Sequence, residues 1–268
     1  MNMDFLKRDR APITSSAWEE IDDRAVEILK AQLYARRFVD IEGPFGWSYS
    51  SHSLGKLHVF EDKKDDPRWG IRQVLPMIET RIPFELGIWL LDDIERGDKT
   101  PDLEPLENAV KKAAEFEDSV VFNGLEQAKV TGVLSEASKS AVSVSFEDLG
   151  SFFSGLSRAT TVFSSEGVEG PYALIVNSEI WAKMHAKKTG GQPLGNHISS
   201  IIGGPVIKTG RIDEGFLVSM RGGDFSLILG QDFSIGYESH TAESVRLFIA
   251  ESFTFQIVSP EALVGLKG

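Results

Sequence analysis

The sequence predicts an α+β fold, and three observations carry that prediction. Apolar residues recur twice at helical spacing, first at Trp18, Ile21, Ala25, Ile28, Leu29 and Leu33, then at Leu106, Val110, Ala113, Phe116 and Val120. From about Thr131 the texture changes to short apolar runs separated by Gly, Ser and Pro, the pattern of strands joined by turns. Near the end Leu247, Ile249, Phe253, Phe255 and Ile257 share one face of a long strand.

The first helix is expected over Ala17–Arg36, with Thr14-Ser15-Ser16 ahead of Glu19 as a capping box. Gly43-Pro44-Phe45-Gly46 is a turn. The polar stretch from Trp47 to about Leu75, centred on Glu61-Asp62-Lys63-Lys64-Asp65-Asp66-Pro67, suits a two-stranded arm with a charged tip. Ile82 to Trp89 alternates as a strand that sets Phe84, Leu86 and Ile88 on one face and leaves Trp89 on the other. Pro105 suits a first helical turn, and the helix it opens runs toward Asn123-Gly124. Beyond it, Tyr172–Val176, Val206–Ile207, Phe216–Ser219 and Phe225–Leu229 read as strands of a mixed α/β half, and the last long strand pauses at Glu251.

Composition bounds the function. The 268 residues carry 28 Lys+Arg against 40 Asp+Glu, a net charge of −12, with 41% apolar and 25% charged residues. These values suit a soluble globular chain and exclude disorder, collagen and coiled coil. No cysteine is present, which excludes disulfides, thiolate metal sites and a thiol nucleophile and fits a reducing cytosol. The opening MNMDFLKRDRAPITSS has no apolar h-region, and runs such as Ile88 to Leu91 are too short to span a bilayer, so no membrane partner is expected. An acidic balance without a basic stripe argues against nucleic acid as a specific ligand.

No phosphate loop, dinucleotide fingerprint, metalloprotease helix or nucleophile elbow is present. His52, His58, His185, His197 and His240 are scattered, so no metal site is expected. Ser53-Leu54-Gly55-Lys56 matches S-x-x-K without its companion motifs. Asp22-Asp23, Asp65-Asp66 and Asp92-Asp93 are adjacent acids that point apart, and Gly190-Gly191, Gly203-Gly204 and Gly222-Gly223 read as tight turns. No catalytic residue is assigned.

Long strings are more specific than these short motifs. FLKRDRAPIT at Phe5–Thr14, IDDRA at Ile21–Ala25, FVDIEGPFGW at Phe38–Trp47, AEFEDSVVFNG at Ala114–Gly124, EGPYALIVN at Glu169–Asn177, RGGDFSLILGQDFSIGYE at Arg221–Glu238 and VRLFIAESFTFQIVSPEAL at Val245–Leu263 together resemble the encapsulin, or linocin-like, shell proteins over essentially the whole chain. The resemblance implies the tailed-phage major capsid fold, named for phage Hong Kong 97, with a peripheral domain, an axial domain and an extended loop. Its parts would be residues 1–47 as the N-terminal helix and start of the peripheral domain, 48–81 as the extended loop, and 82–130 as the peripheral domain with the spine helix. Residues 131–223 would be the axial domain, 224–251 the return to the peripheral domain, and 252–268 a C-terminal strand and tail on the axial domain.

The function implied is a self-assembling cytoplasmic nanocompartment, an icosahedral homo-oligomer of sixty subunits, without catalysis of its own. It would enclose a cargo enzyme with a C-terminal targeting peptide, such as a ferritin-like protein or a dye-decolorising peroxidase, serving iron storage or oxidative stress. By resemblance, Leu29, Arg36, Asp40, Asp232 and Ile235 would form the cargo-peptide groove. Read from the residues alone, Leu29 is ordinary core and Arg36 with Asp40 an i,i+4 pair that stabilises a helix end. No cofactor is required; the family's flavin (FMN) position falls on Trp89 with Arg81, but Gln192 stands where the pattern has a second aromatic. Trp89 as a buried or interface anchor is the competing reading. The loop from His185 to His197, with Lys187, Lys188, Gly190, Gly191 and Gln192, would line a five-fold pore. The alternatives are a flavin-dependent oxidoreductase, a protease or bacteriocin-like activity, and a DNA-packaging phage capsid protein.

Overall fold

A computed structural model of the chain describes residues 5–60, 67–145, 148–186, 188–189 and 192–268. Its first half runs α1 (Ser15–Gln32), β1 (Asp40–Glu42), β2 (Ser51–Val59), β3 (Gly70–Pro76), β4 (Ile78–Gly87), α2 (Ile88–Glu95), α3 (Glu104–Asn123) and α4 (Val133–Ala137). It continues through β5 (Val142–Ser143), α5 (Leu149–Ser165), β6 (Tyr172–Val176), α6 (Ser178–Ala186), α7 (Leu194–Ile202), β7 (Val206–Lys208), β8 (Gly215–Ser219), β9 (Phe225–His240), β10 (Ser244–Ile257) and β11 (Leu263–Lys267). Contacts group the chain into two units: residues 1–32, 42–115 and 228–254, and residues 33–41, 116–227 and 255–268. The expected domain boundaries differ from this grouping chiefly at 33–41 and 116–130, which join the second unit.

In the first unit β9, β10 and β4 lie side by side in that order in one sheet, covered on one face by helices. Ile82, Phe84 and Leu86 of β4 stand opposite Ile249, Leu247 and Val245 of β10, so one face of both strands is apolar. Ala17, Ile21, Ala25 and Ile28 of α1 and Leu106, Val110 and Ala113 of α3 close over it in one buried cluster. On the other face Phe5 stacks on Trp47 at 3.6 Å and meets Phe248 edge-on at 5.6 Å, and the Arg81 guanidinium lies 3.6 Å from the Phe248 ring centre. Gly236 permits this packing, because a Cβ there would come within 2.3 Å of the Phe248 ring. Thr14 caps α1 as expected, accepting the Ala17 N–H at 3.3 Å, but the companion acid is Glu95 of α2, bonded to Ser16, instead of Glu19.

In the second unit a sheet of order β7–β6–β8–β11–β5 carries the strands expected near Tyr172, Val206 and Phe216. Its core is aromatic: Phe38, Phe122 and Phe216 lie within 6.3 Å of one another, and Phe163 stacks on Tyr172 at 4.6 Å. Gly124, at φ +83°, ends α3 where a Cβ would meet the Val130 carbonyl at 2.6 Å.

Four element expectations are corrected. The first helix stops at Gln32, because the Asp118 carboxylate takes the N–H groups of Tyr34 and Ala35 and draws the chain into a 3-10 turn over Ala35–Arg37. The strand expected through Trp89 stops at Gly87; Ile88, Leu91 and Ile94 repeat at helical spacing and form α2. The last long strand does not pause, since Glu251 is buried and pairs in register with Thr80. His185 and His197 belong to α6 and α7, so the intervening loop is shorter than expected.

Candidate assembly and docking surfaces

The arm is the hairpin β2–β3, paired antiparallel from Ser51 opposite Pro76 to Val59 opposite Gly70, with a register shift between Ser53 and Leu57. Its tip, residues 61–66, lies outside the described residues. Leu57, Val59, Trp69, Ile71 and Val74 are all exposed, at 43–59% of their full surface. Two-stranded hairpins are marginal in water, and clustered exposed apolar residues mark interaction sites. Tyr49 and His52 bond side chain to side chain at the arm's base, and the His58 ring meets Phe60 edge-on.

The expected groove residues divide between the two units. Leu29 is half-buried against the cluster that holds Ile235, so α1 and β9 bring those two side chains into one apolar neighbourhood. Asp232, on the same strand, accepts the Phe233 N–H with its own carboxylate at 2.8 Å. Arg36 and Asp40 belong to the second unit and are not paired with each other. Arg36 grips the fully buried Glu117 with contacts of 2.6–3.0 Å, and Asp40 accepts the Gly223 N–H at 2.6 Å beside a cavity of about 90 Å³.

Next to Glu117, Asp118 is also fully buried, with the Arg211 Nε 3.8 Å away. Burial pushes its carboxyl up to about 7, against the opposing pull of the Ala35 and Tyr34 N–H groups. Neither acid was singled out in the sequence; two carboxylates inside the apolar run of α3 were the available signal. In the first unit the Arg24 guanidinium bonds Glu107 and holds that carboxyl below the ordinary range, beside a cleft of about 410 Å³ lined by Glu20, Asp23, Glu27 and Lys99.

Trp89 projects from the first turn of α2 and is 77% exposed, so within this chain it anchors nothing. Arg81 lies in mid-β4 over Phe248. Of the pore loop, Lys188-Thr189 and Gln192-Pro193 pair as a short hairpin, while Lys187, Gly190 and Gly191 lie outside the described residues. Among the described residues no three His, Asp or Glu side chains converge as a metal site, and no helix is long and apolar enough to cross a membrane.

Comparison with known proteins places this geometry. A family model described as "Encapsulating protein for peroxidase" matches residues 3–254. The type 1 encapsulin shell protein of Rhodospirillum rubrum is 39% identical, covering 99% of this chain and 97% of the relative. That of Rhodococcus erythropolis is 38% identical, covering 98% and 100%. Among solved structures, a virus-like particle from Pyrococcus furiosus aligns with a TM-score of 0.67 at 20% identity over 93% of this chain and 98% of that one. The capsid of the Myoviridae phage XM1 aligns with a TM-score of 0.55 at 10% identity, covering 88% and 92%. At such identities these likenesses show the fold, which is that of the tailed-phage capsid proteins.

Proposed function

The chain belongs to the encapsulin shell-protein family and forms a capsid-like homo-oligomeric particle, and we propose that this particle is a closed shell of sixty subunits in the cytoplasm that encloses a cargo enzyme through that enzyme's C-terminal peptide. The observation that carries the assembly reading is the arm, five large apolar side chains held out in solvent on a hairpin. Identical subunits that close around symmetry axes need heterologous contacts whose rotation closes, which an arm of this reach can spread over its neighbours, and obligate interfaces commonly bury more than about 2,000 Å². The relatives' role is structural, and the proposal gives this subunit the same role, without chemistry of its own. It requires no resident cofactor: Trp89 offers an exposed indole face, while Arg81 is engaged on Phe248.

Leu29 and Ile235 support the cargo reading, because a half-buried leucine beside a sheet strand leaves apolar surface for a peptide side chain. Size-exclusion chromatography and negative-stain electron microscopy of the recombinant protein test the shell: uniform closed particles are expected, and a stable monomer at micromolar concentration overturns the reading. Mass spectrometry of particles purified with co-expressed tailed ferritin-like protein or peroxidase tests the cargo, and shells that exclude both would remove it. A flavin absorbance in the purified shells would overturn the cofactor-free assignment.

A further inference from the structure

The segment ahead of α1 is a strap tied down at two points. The Phe5 ring fills a slot beside Trp47 and Phe248, at 3.6 and 5.6 Å between ring centres, with the Arg81 guanidinium 5.9 Å away. Next to it the Tyr237 N–H of β9 donates to the Leu6 carbonyl at 2.8 Å. Arg8 makes the second tie: its guanidinium lies 3.8 Å from the Trp18 ring centre and donates to Asp22 at 2.7 Å. Between the ties Lys7 sits at φ +49°, in the left-handed region that a side chain disfavours.

The seat is built from elements that pair without the strap. Phe248 stands opposite Pro83 and Ala250 opposite Arg81 in the β4–β10 register, and the Arg81 guanidinium lies 3.6 Å from the Phe248 ring centre. Trp47 follows a turn whose Phe45 and Gly46 N–H groups donate to the Leu229 and Gly230 carbonyls. With Phe5 gone, Phe248, now fully buried, would be left as apolar surface that another segment can cover. A ring slot, a main-chain donor and a carboxylate are the features that recognise an extended peptide. The strap shows the pattern they accept, an aromatic residue followed three residues later by arginine. Its charge also suits another copy: Lys7, Arg8 and Arg10 outnumber Asp9 in a chain of net charge −12. Phe5 stands nine residues before Thr14. Extended, those residues span up to about 30 Å, enough to reach an adjoining subunit.

We propose that the strap is exchangeable: its seat is a peptide-binding site that takes residues 5–10 of a second copy of this chain in place of its own. Exchange of an identical element keeps every contact, and tethering in a common particle raises the effective concentration of neighbouring straps. The inference goes beyond the shell reading, and its first test does not depend on that reading.

A fluorescein-labelled synthetic peptide of residues 5–14 is titrated against the full chain and against the full chain carrying Phe5→Ala with Arg8→Ala, whose own strap is weakened. Fluorescence anisotropy should show about tenfold or more tighter binding to the variant, and a peptide with Phe5→Ala should bind about tenfold or more weaker than the unaltered one. Equal affinity for parent and variant, or for the two peptides, overturns the proposal. A second measurement keeps Phe5 and Arg8 in place. The chain has no cysteine, so Leu6→Cys places one thiol-bound photo-crosslinker beside β9. Chains grown in heavy and in light nitrogen are dissociated, mixed and reassembled, and native mass spectrometry establishes that both isotopes share one particle. Cross-links that join a heavy strap to a light β9 peptide are expected; cross-links of one isotope only overturn the exchange. Failure of the unaltered protein to form particles would overturn the shell reading alone, and the titration would still decide this one.

Discussion

Replacing Asp118 by Asn should flatten the pH dependence of folding. The Asp118 carboxylate is fully buried and accepts the Ala35 N–H at 2.9 Å and the Tyr34 N–H at 3.2 Å, with Glu117 adjacent and Arg211 nearby. Burial raises its pKa from 3.8 to about 7. Between those values the folded state binds a proton that the unfolded state has lost, so stability falls as pH rises through that window and levels off above about 7. Three units at about 1.4 kcal/mol each make the loss about 4 kcal/mol. Asp118→Asn cannot titrate, yet keeps an oxygen for the Ala35 N–H. Urea unfolding of unassembled subunits, followed by tryptophan fluorescence, measures the difference between variant and parent from about pH 4.5 to 8. The parent should lose ground by an amount of that order as pH rises. A difference that stays constant across the range would refute the reasoning.

Other substitutions probe the same architecture. Arg36→Ala leaves Glu117 buried without its guanidinium and should cost about 3–5 kcal/mol by urea unfolding, with partial recovery when Glu117→Gln is added. Gly236→Ala drives a methyl into the Phe248 ring and should cost about 1–3 kcal/mol in thermal unfolding. Leu29→Gln should leave particles intact while reducing the amount of tailed cargo found in them by mass spectrometry, and unchanged loading would remove Leu29 from the groove.

Regular helices and the strands of the second half were legible because burial imposes its period on the sequence: α3 begins and ends within a residue of where Pro105 and Asn123-Gly124 place it. What failed to show were places where a distant side chain overrides local pattern. Nothing around Leu33 says that the first helix stops there, since the group that stops it, Asp118, lies 83–84 residues away. Trp89 was set on a strand because alternation fits Ile82 to Leu86, although Ile88, Leu91 and Ile94 already carried the helical period. Arg36 and Asp40 look like an i,i+4 pair only while that helix is assumed to continue; with the turn in place, Glu117 and Gly223 take them instead. The arm was legible as a hairpin from its charged tip, whereas its two-faced apolar character needed the register.

That difference separates folding from assembly in this chain. Within the first unit, the apolar faces of α1, α3, β4 and β10 close on one another, so the cluster around Ile21, Leu106 and Leu247 is complete without a neighbour. The large apolar side chains of the arm, by contrast, stay 43–59% exposed within the chain. An isolated hairpin of this kind is marginal in water, so on the shell reading much of its stability would come with burial against another copy and would depend on subunit concentration. The buried acids of α3 act in the opposite sense: Glu117 and Asp118 spend their hydrogen bonds on holding residues 34–36 within the second unit. Substitutions on the arm should therefore change the particle and spare the subunit, and substitutions at Arg36 or Asp118 should change the subunit first.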